Sequence, residues 1–350
     1  MRVLIVRIGA MGDVLHAMPA VAALRAAHPD WFIGWAIEPR WSGLLQTSGT
    51  GSSGDSASSQ TGRGQTMPLV DRWYQVPARY WSERPFSWQT LMGVKATWGE
   101  LSRGKFDVCV DMQGSLKSAV VGRMAGARVF AGAAEPRERV ARWLYKQRVG
   151  LTFAHVVGQG CELLGSAVGE ALRPTRVTLP IDEADERWAD GVAGRERFCL
   201  ISPGAGWGAK MWPAERFGAV AAELGRAGYR TLVNASLHGS GEAERVVQRS
   251  EGFAVAVPCS VGGLTALVRR AGVVIAGDTG PLHLAAALER PVVGIYGPTD
   301  PARNGPYGTC SRVLRDAASL TSHKRVSEAE AGMLRIGVDE VVQAALEMLG

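Results

Sequence analysis

At 350 residues the chain is too long for one ordinary core and about right for two domains, either of which can bury a substantial core without disulfides or metals. Hydrophobic residues at 46% and charged residues at 21% exclude a disordered chain, and no apolar run approaches the roughly 18 residues that cross a bilayer. A net charge of +6 is compatible with nucleic acid, an anionic membrane surface or anionic small substrates, and equally with a plain solubility charge.

The first element is predicted at residues 3–8, a β-branched run of the kind covered on both faces in a parallel sheet. Arg2 ahead of this run resembles the start of a secretory leader, but the run is short. It ends in Arg7 and the turn Gly9-Ala10-Met11-Gly12-Asp13, which predicts a cytoplasmic protein. A helix is expected over 14–27, ended by His28-Pro29, and a strand over 31–37. Residues 47–66 are dominated by Gly, Ser, Thr and Gln and hold too little apolar surface to order themselves. They read as a mobile surface loop, either a neutral insertion or a lid over substrate. From Asp71 to Trp98, Arg72, Arg79, Arg84 and Lys95 interleave with Trp73, Tyr74, Tyr80, Trp81, Trp88 and Trp98. That mixture suits a surface gripping an anionic carbohydrate or lipid, and equally a helical flap whose aromatics are core.

A strand at 106–111 leads through Gln113-Gly114 to a helix at Leu116–Met124. Residues 165–180 keep no strong period and read as a linker, giving domains at 1–170 and 171–350. Beyond it come a strand at 199–202, a turn at 203–206 and a helix at 214–227 stopped by Gly228. Further strands are expected at 229–234, 255–257, 273–276 and Val292–Tyr296, with a last helix over Val338–Leu349. Strands separated by helices of ten to fifteen residues imply two parallel, doubly wound sheets, an α/β class in which ligands sit at the carboxyl ends of the strands. Cys109, Cys161, Cys199, Cys259 and Cys310 are dispersed, with no C-x-x-C pair, and so predict thiols in a reducing compartment rather than disulfides or zinc.

Three strings carry chemistry. At 273–286 a buried strand ends in Asp278-Thr279-Gly280-Pro281-Leu282-His283 and opens straight into a helix, where unpaired amides and the helix dipole favour an anion. Thr279 and Gly280 can offer a hydroxyl and N–H groups to a diphosphate, and Pro281 is tolerated in a first turn. Alternatively, Asp278 or Thr279 merely caps the helix. At 202–217 a second strand, turn and helix carries Lys210 in the turn, a point charge suited to phosphate although the Walker spacing is missing. Gly9-Ala10-Met11-Gly12-Asp13 lacks the dinucleotide fingerprint, and Asp13 is either a helix cap or a general base pointing into a cleft.

Together, MRVLIVRIGAMGDVLH at 1–16, DVCVDMQGSLKSA at 107–119, SPGAGWGAKMWPAERF at 202–217 and DTGPLHLAAALERPVVGIYGPTDP at 278–301 resemble the heptosyltransferases of glycosyltransferase family 9 over nearly the whole length. The resemblance implies a GT-B fold, two Rossmann-like domains facing across a cleft, the first for acceptor and the second for nucleotide sugar. It implies inverting, metal-independent transfer from ADP-L-glycero-β-D-manno-heptose to Kdo of the lipopolysaccharide inner core, with no cofactor. Asp13 is then the base, while Lys210, Asp278, Thr279, Gly280 and His283 hold the donor's diphosphate and sugar. Glu242 matches the carboxylate for the adenosine ribose, and Cys259 a main-chain contact to adenine. Arg79, Arg84, Lys117 and Arg123 are the candidates to meet Kdo carboxylates and lipid A phosphates. The implied setting is a monomer in peripheral contact with the cytoplasmic face of the inner membrane, without nucleic acid. Gly9 and Ala10 depart from the family, which usually carries Ser or Thr there. Other readings are a related transferase using a heptosylated acceptor or another nucleotide sugar, a GT-B sugar-nucleotide epimerase, and a catalytically silent sugar-nucleotide-binding protein.

Overall fold

The computed structural model describes residues 1–45, 68–237, 241–322 and 326–350, so the insertion expected at 47–66 lies outside the described residues. The chain separates into two compact units, Met1–Pro180 and Ile181–Gly350.

In the first unit the elements are β1 (Arg2–Val6), α1 (Met11–Ala27), β2 (Phe32–Ile37), β3 (Arg72–Gln75), α2 (Ala78–Glu83), α3 (Trp88–Arg103), β4 (Val108–Asp111), α4 (Leu116–Met124), β5 (Val129–Ala133), β6 (Gln147–Val149) and α5 (Val156–Val168). The strands form one parallel sheet in the order β3-β2-β1-β4-β5-β6. Val3, Leu4, Ile5 and Val6 are fully buried, because helices cover a parallel sheet on both faces. Helix α5 continues to Val168, so the first residues of the expected linker are helical, and the extended stretch begins only after it.

The second unit runs α6 (Glu183–Ala193), β7 (Phe198–Ser202), α7 (Ala214–Arg226), β8 (Arg230–Ala235), α8 (Glu242–Arg249), β9 (Ala254–Pro258), α9 (Val261–Arg270), β10 (Val273–Gly277), α10 (Gly280–Ala287), β11 (Val292–Tyr296), α11 (Pro301–Asn304), β12 (Ser311–Arg315) and α12 (Val338–Leu349). Its sheet is also parallel, in the order β12-β11-β10-β7-β8-β9. Counted from its own first strand, this is the same doubly wound order as the first unit. In each sheet the strand order reverses between the first and fourth strands, β1 and β4 in one unit and β7 and β10 in the other. Ligands of such sheets bind outside the carboxyl ends at that reversal.

The sequence reading missed β3, β6 and β12, which are edge strands bearing polar residues such as Arg72, Gln147 and Arg312, and β5, whose Ala and Gly carry little β signal. Among the described residues no helix is long and apolar enough to cross a membrane.

Candidate active site

The clearest constellation lies at the reversal of the second sheet. Lys210 follows β7 in a short 3-10 turn and Asp278 follows β10, so adjacent strands deliver them to one place. Lys210 Nζ donates to Asp278 Oδ2 and, at 3.4 Å, to the Asp278 carbonyl oxygen. On the other side His283 Nε2 meets Asp278 Oδ1 at 2.9 Å. Burial alone would push the Asp278 carboxyl up; the bonds from His283 and Lys210 outweigh it and hold it well below the usual carboxylate range. The carboxylate therefore stays charged and fixes both the Lys210 ammonium and the His283 ring.

Neither sequence-level capping option is realised. Thr279 occupies the N-cap position of α10, but its side chain makes no cap bond and its hydroxyl donates to the Gly277 carbonyl at 3.2 Å. Asp278 spends both oxygens on Lys210 and His283. The first-turn amides of α10 thus keep the anion-seeking character of an uncapped helix start.

Around this cluster the motif residues divide into holders and held. Trp212 donates its indole N–H to the Ile336 carbonyl at 3.2 Å and packs edge-on against Phe217, with ring centroids 4.8 Å apart. Arg216 donates to the Leu334 and Ile336 carbonyls at 2.7 and 2.9 Å. Trp212, Arg216 and Phe217 are therefore a structural clamp under the Lys210 turn. Lys210 Nζ also lies 4.6 Å from the Trp207 ring centroid.

Ser202 ends β7, Asn234 is the penultimate residue of β8 and Cys259 follows β9. Asn234 Nδ2 donates to Ser202 Oγ at 3.1 Å, and Cys259 Sγ donates to Asn234 Oδ1 at 3.6 Å. The Cys259 thiol, pushed up to about 12 mainly by burial, stays protonated and able to donate. Its side chain thus takes part in a relay that the sequence reading, confined to the main chain of Cys259, did not anticipate. Glu242 is the first residue of α8, after Gly241 at φ +67°, with Arg245 Nη2 3.6 Å from its Oε1.

At the reversal of the first sheet stands Asp13. Helix α1 begins at Met11, earlier than the expected residue 14, so Asp13 lies within its first turn. One carboxylate oxygen accepts the Ala10 N–H at 3.1 Å and the other meets Arg7 Nη2 at 2.8 Å, while the side chain stays 40% exposed. Asp13 is both a partial cap and a solvent-facing carboxylate.

The turn beneath it is held from β4. Gln113 Oε1 accepts the Ile8 and Gly9 N–H groups at 2.9 and 3.3 Å, and Arg7 donates to the Met112 carbonyl. Gln113 is positioned in turn by Asp111, a buried carboxylate that accepts from the Gln113 and Gly114 amides at 2.9 and 3.1 Å, from Ser118 Oγ at 2.9 Å and from the Tyr145 hydroxyl at 2.7 Å. Burial raises the Asp111 carboxyl, and these four donors pull it partly back. The reading of the sequence missed Arg7, Asp111, Gln113 and Tyr145. The available signal was two charged residues, Arg7 and Asp111, directly ending buried strand runs. The departure at Gly9 also has a local reason: a Cβ there would stand 3.0 Å from Trp41 Nε1.

Of the basic candidates, Lys117 Nζ bonds Ser82 Oγ, which ties α4 to α2, the helix that carries Arg79 and is followed by Arg84. Arg79 is exposed and paired with Glu83 at 2.8 Å, and Arg84 lies 5.8 Å from the Tyr80 ring. Arg123 is six residues beyond Lys117, turned roughly 120° away on α4, and does not join them. Among the described residues no group of three His, Cys, Asp or Glu side chains is placed to hold a metal ion. A cavity of about 360 Å³ opens at Arg2, Arg72 and Arg103, at the amino ends of β1 and β3 and so at the far end of the sheet from Asp13.

Known proteins resemble this chain at every level. The model of "Glycosyltransferase family 9 (heptosyltransferase)" matches residues 94–332. Lipopolysaccharide heptosyltransferase 1 of Pseudomonas aeruginosa is 29% identical, over 88% of this chain and 82% of its own length. The Escherichia coli protein of the same name is 29% identical, over 90% of this chain and 93% of its own. The structure of E. coli heptosyltransferase WaaC with ADP-2-deoxy-2-fluoro heptose superposes with a TM-score of 0.74 at 26% identity, covering 99% of both chains.

Proposed function

The chain belongs to glycosyltransferase family 9, the heptosyltransferases, and on that footing we propose that it transfers L-glycero-D-manno-heptose from ADP-heptose to Kdo of the lipopolysaccharide inner core, with inversion and without a metal. The observation that carries the reading is the Lys210–Asp278–His283 cluster beside the uncapped start of α10.

In the proposed reaction Asp13 accepts the proton of the acceptor hydroxyl as that oxygen attacks the anomeric carbon of the heptose. The bond from that carbon to the ADP oxygen breaks on the opposite face, and its electron pair goes to the diphosphate. Asp278 takes two of the three donors of the Lys210 ammonium, leaving one for a phosphate oxygen, and the α10 amides supply further N–H groups. Charge developing on the leaving group is thus met by fixed donors. Arg7 and Gln113 hold the turn that aims Asp13. Glu242 and the Cys259 backbone serve the adenosine, and Arg79, Arg84 and Lys117 the acceptor's anionic groups.

The deciding assay offers ADP-heptose with Kdo-lipid A in one arm and an already heptosylated core in the other. The expected result is product in the first arm alone. Product only in the second would reassign the acceptor, and none in either would end the proposal.

A further inference from the structure

Helix α3 is amphipathic in reverse. Its buried face carries Thr90, Thr97 and Leu101, with the threonine hydroxyls donating to the Arg84 and Gln75 carbonyls at 2.8 and 3.3 Å. Its outward face carries Trp88, Leu91 and Trp98, which are 74%, 54% and 58% exposed, together with Met92 and, at the centre, Lys95. At 100° per residue these five fall within an arc of roughly 120°, opposite the threonines. Just before the helix Phe86 is 93% exposed. Apolar side chains on this scale are not left in water without a partner.

The face continues beyond the helix. Helix α4 packs against α3 and shows Leu116 and Val120 to solvent. The 3-10 turn at Arg139–Trp143, which touches α4, exposes Val140 and Trp143, and the Trp143 ring has the Arg142 and Arg148 guanidiniums 5.1 and 5.2 Å from its centre. Lys95, Lys117 and Arg139 are exposed on the same elements, and Arg84 is exposed two residues before Phe86. Two acids near them are already engaged, Glu83 by Arg79 and Glu138 by the Leu116 amide.

From this we propose that the exposed face of α3, extended by Phe86, α4 and Trp143, is the surface by which the protein docks on an anionic lipid bilayer. The inference rests on the proposed transfer to a lipid-linked acceptor, because the face borders Arg79, Arg84 and Lys117. Charge decides the occupant. A lysine at the centre of an apolar arc is costly in a protein–protein interface, whose core is depleted of charge. At a headgroup layer the same lysine lays its stem along the apolar surface and keeps its ammonium among phosphates, while tryptophan rings favour the boundary between acyl chains and water.

Flotation with vesicles tests the assignment. Wild-type protein should float with vesicles of phosphatidylethanolamine and phosphatidylglycerol, and much less with phosphatidylcholine alone. The Trp88→Ser/Leu91→Ser/Trp98→Ser variant should lose about tenfold or more of that partition. It should keep its ADP affinity and its kcat/KM on a deacylated, water-soluble acceptor. Equal flotation of both proteins, or none by the wild type, overturns the proposal. So does a wild-type dimer in light scattering that the variant abolishes, since a second copy would then be the occupant. If neither protein turns over the soluble acceptor, the transfer reading fails, and flotation still decides the surface by itself.

Discussion

Asp278 shows how a single residue can be plain in the sequence while its role is not. Its place at a strand-to-helix turn was legible from the apolar run before it and the Gly-Pro after it. That it binds Lys210, 68 residues away, was not, because such contacts arise from strand order rather than spacing. The pair has a consequence for stability. Asp278 has a native carboxyl value below its unfolded one, so its contribution is complete above about pH 4 and is lost as pH falls through the native value. Asp278→Asn leaves the Lys210 ammonium buried without its counter-charge and should cost roughly 3 kcal/mol at neutral pH. Denaturant titrations should show the gap between variant and wild type narrowing below about pH 4; a gap independent of pH would contradict the assignment. Asp111 was hidden only in part for the same reason as the ion pair: Gln113, Gly114 and Ser118 donate to it from within seven residues, and folding brings the Tyr145 hydroxyl from 34 residues away.

At the scale of elements, every internal strand but β5 announced itself, whereas of the four edges only β9 did. A strand buried on both faces is a near-continuous apolar run, as β1, β7, β10 and β11 are apart from the terminal Arg2 and Ser202, whereas edge strands mix polar and apolar residues and read like loops. The basic and aromatic stretch from Asp71 to Trp98 divides between its two readings. Trp73 and Tyr74 are core, while Trp88 and Trp98 are surface. Residue types alone cannot make that division, because α3 faces its threonines inward where they find carbonyl partners. The turn that bears Lys210 depends on a close approach. A Cβ on Gly208 would fall 1.8 Å from the Ser327 carbonyl oxygen, and the adjoining Ala209 pairs with Val326 and Glu330. Gly208→Ala should therefore lower stability by about 1–3 kcal/mol and weaken ADP binding by displacing Lys210. Calorimetry reads both quantities, and an unchanged Tm with unchanged ADP affinity would show that the turn tolerates the methyl.

For the whole molecule, one strand order is used twice, and each sheet brings its chemistry-bearing residues to the reversal between its first and fourth strands. Alternating strands and helices made the α/β class readable, and the four motif strings made the family readable. The equivalence of the two sheets was not, since β3, β5 and β6 of the first and β12 of the second are weak edge or glycine-bearing strands. The proposed reaction divides accordingly, with the base in the first unit and the diphosphate cradle in the second. Because that cradle is built from an ammonium and helix amides, transfer should proceed at full rate in EDTA; a loss restored by Mg²⁺ would overturn the metal-free scheme. The most direct measurement compares wild type with Asp13→Ala on ADP-heptose and Kdo-lipid A. The account predicts a fall of about a thousandfold in kcat with the Kd for ADP unchanged. A variant that turned over within a few-fold of wild type would contradict the account.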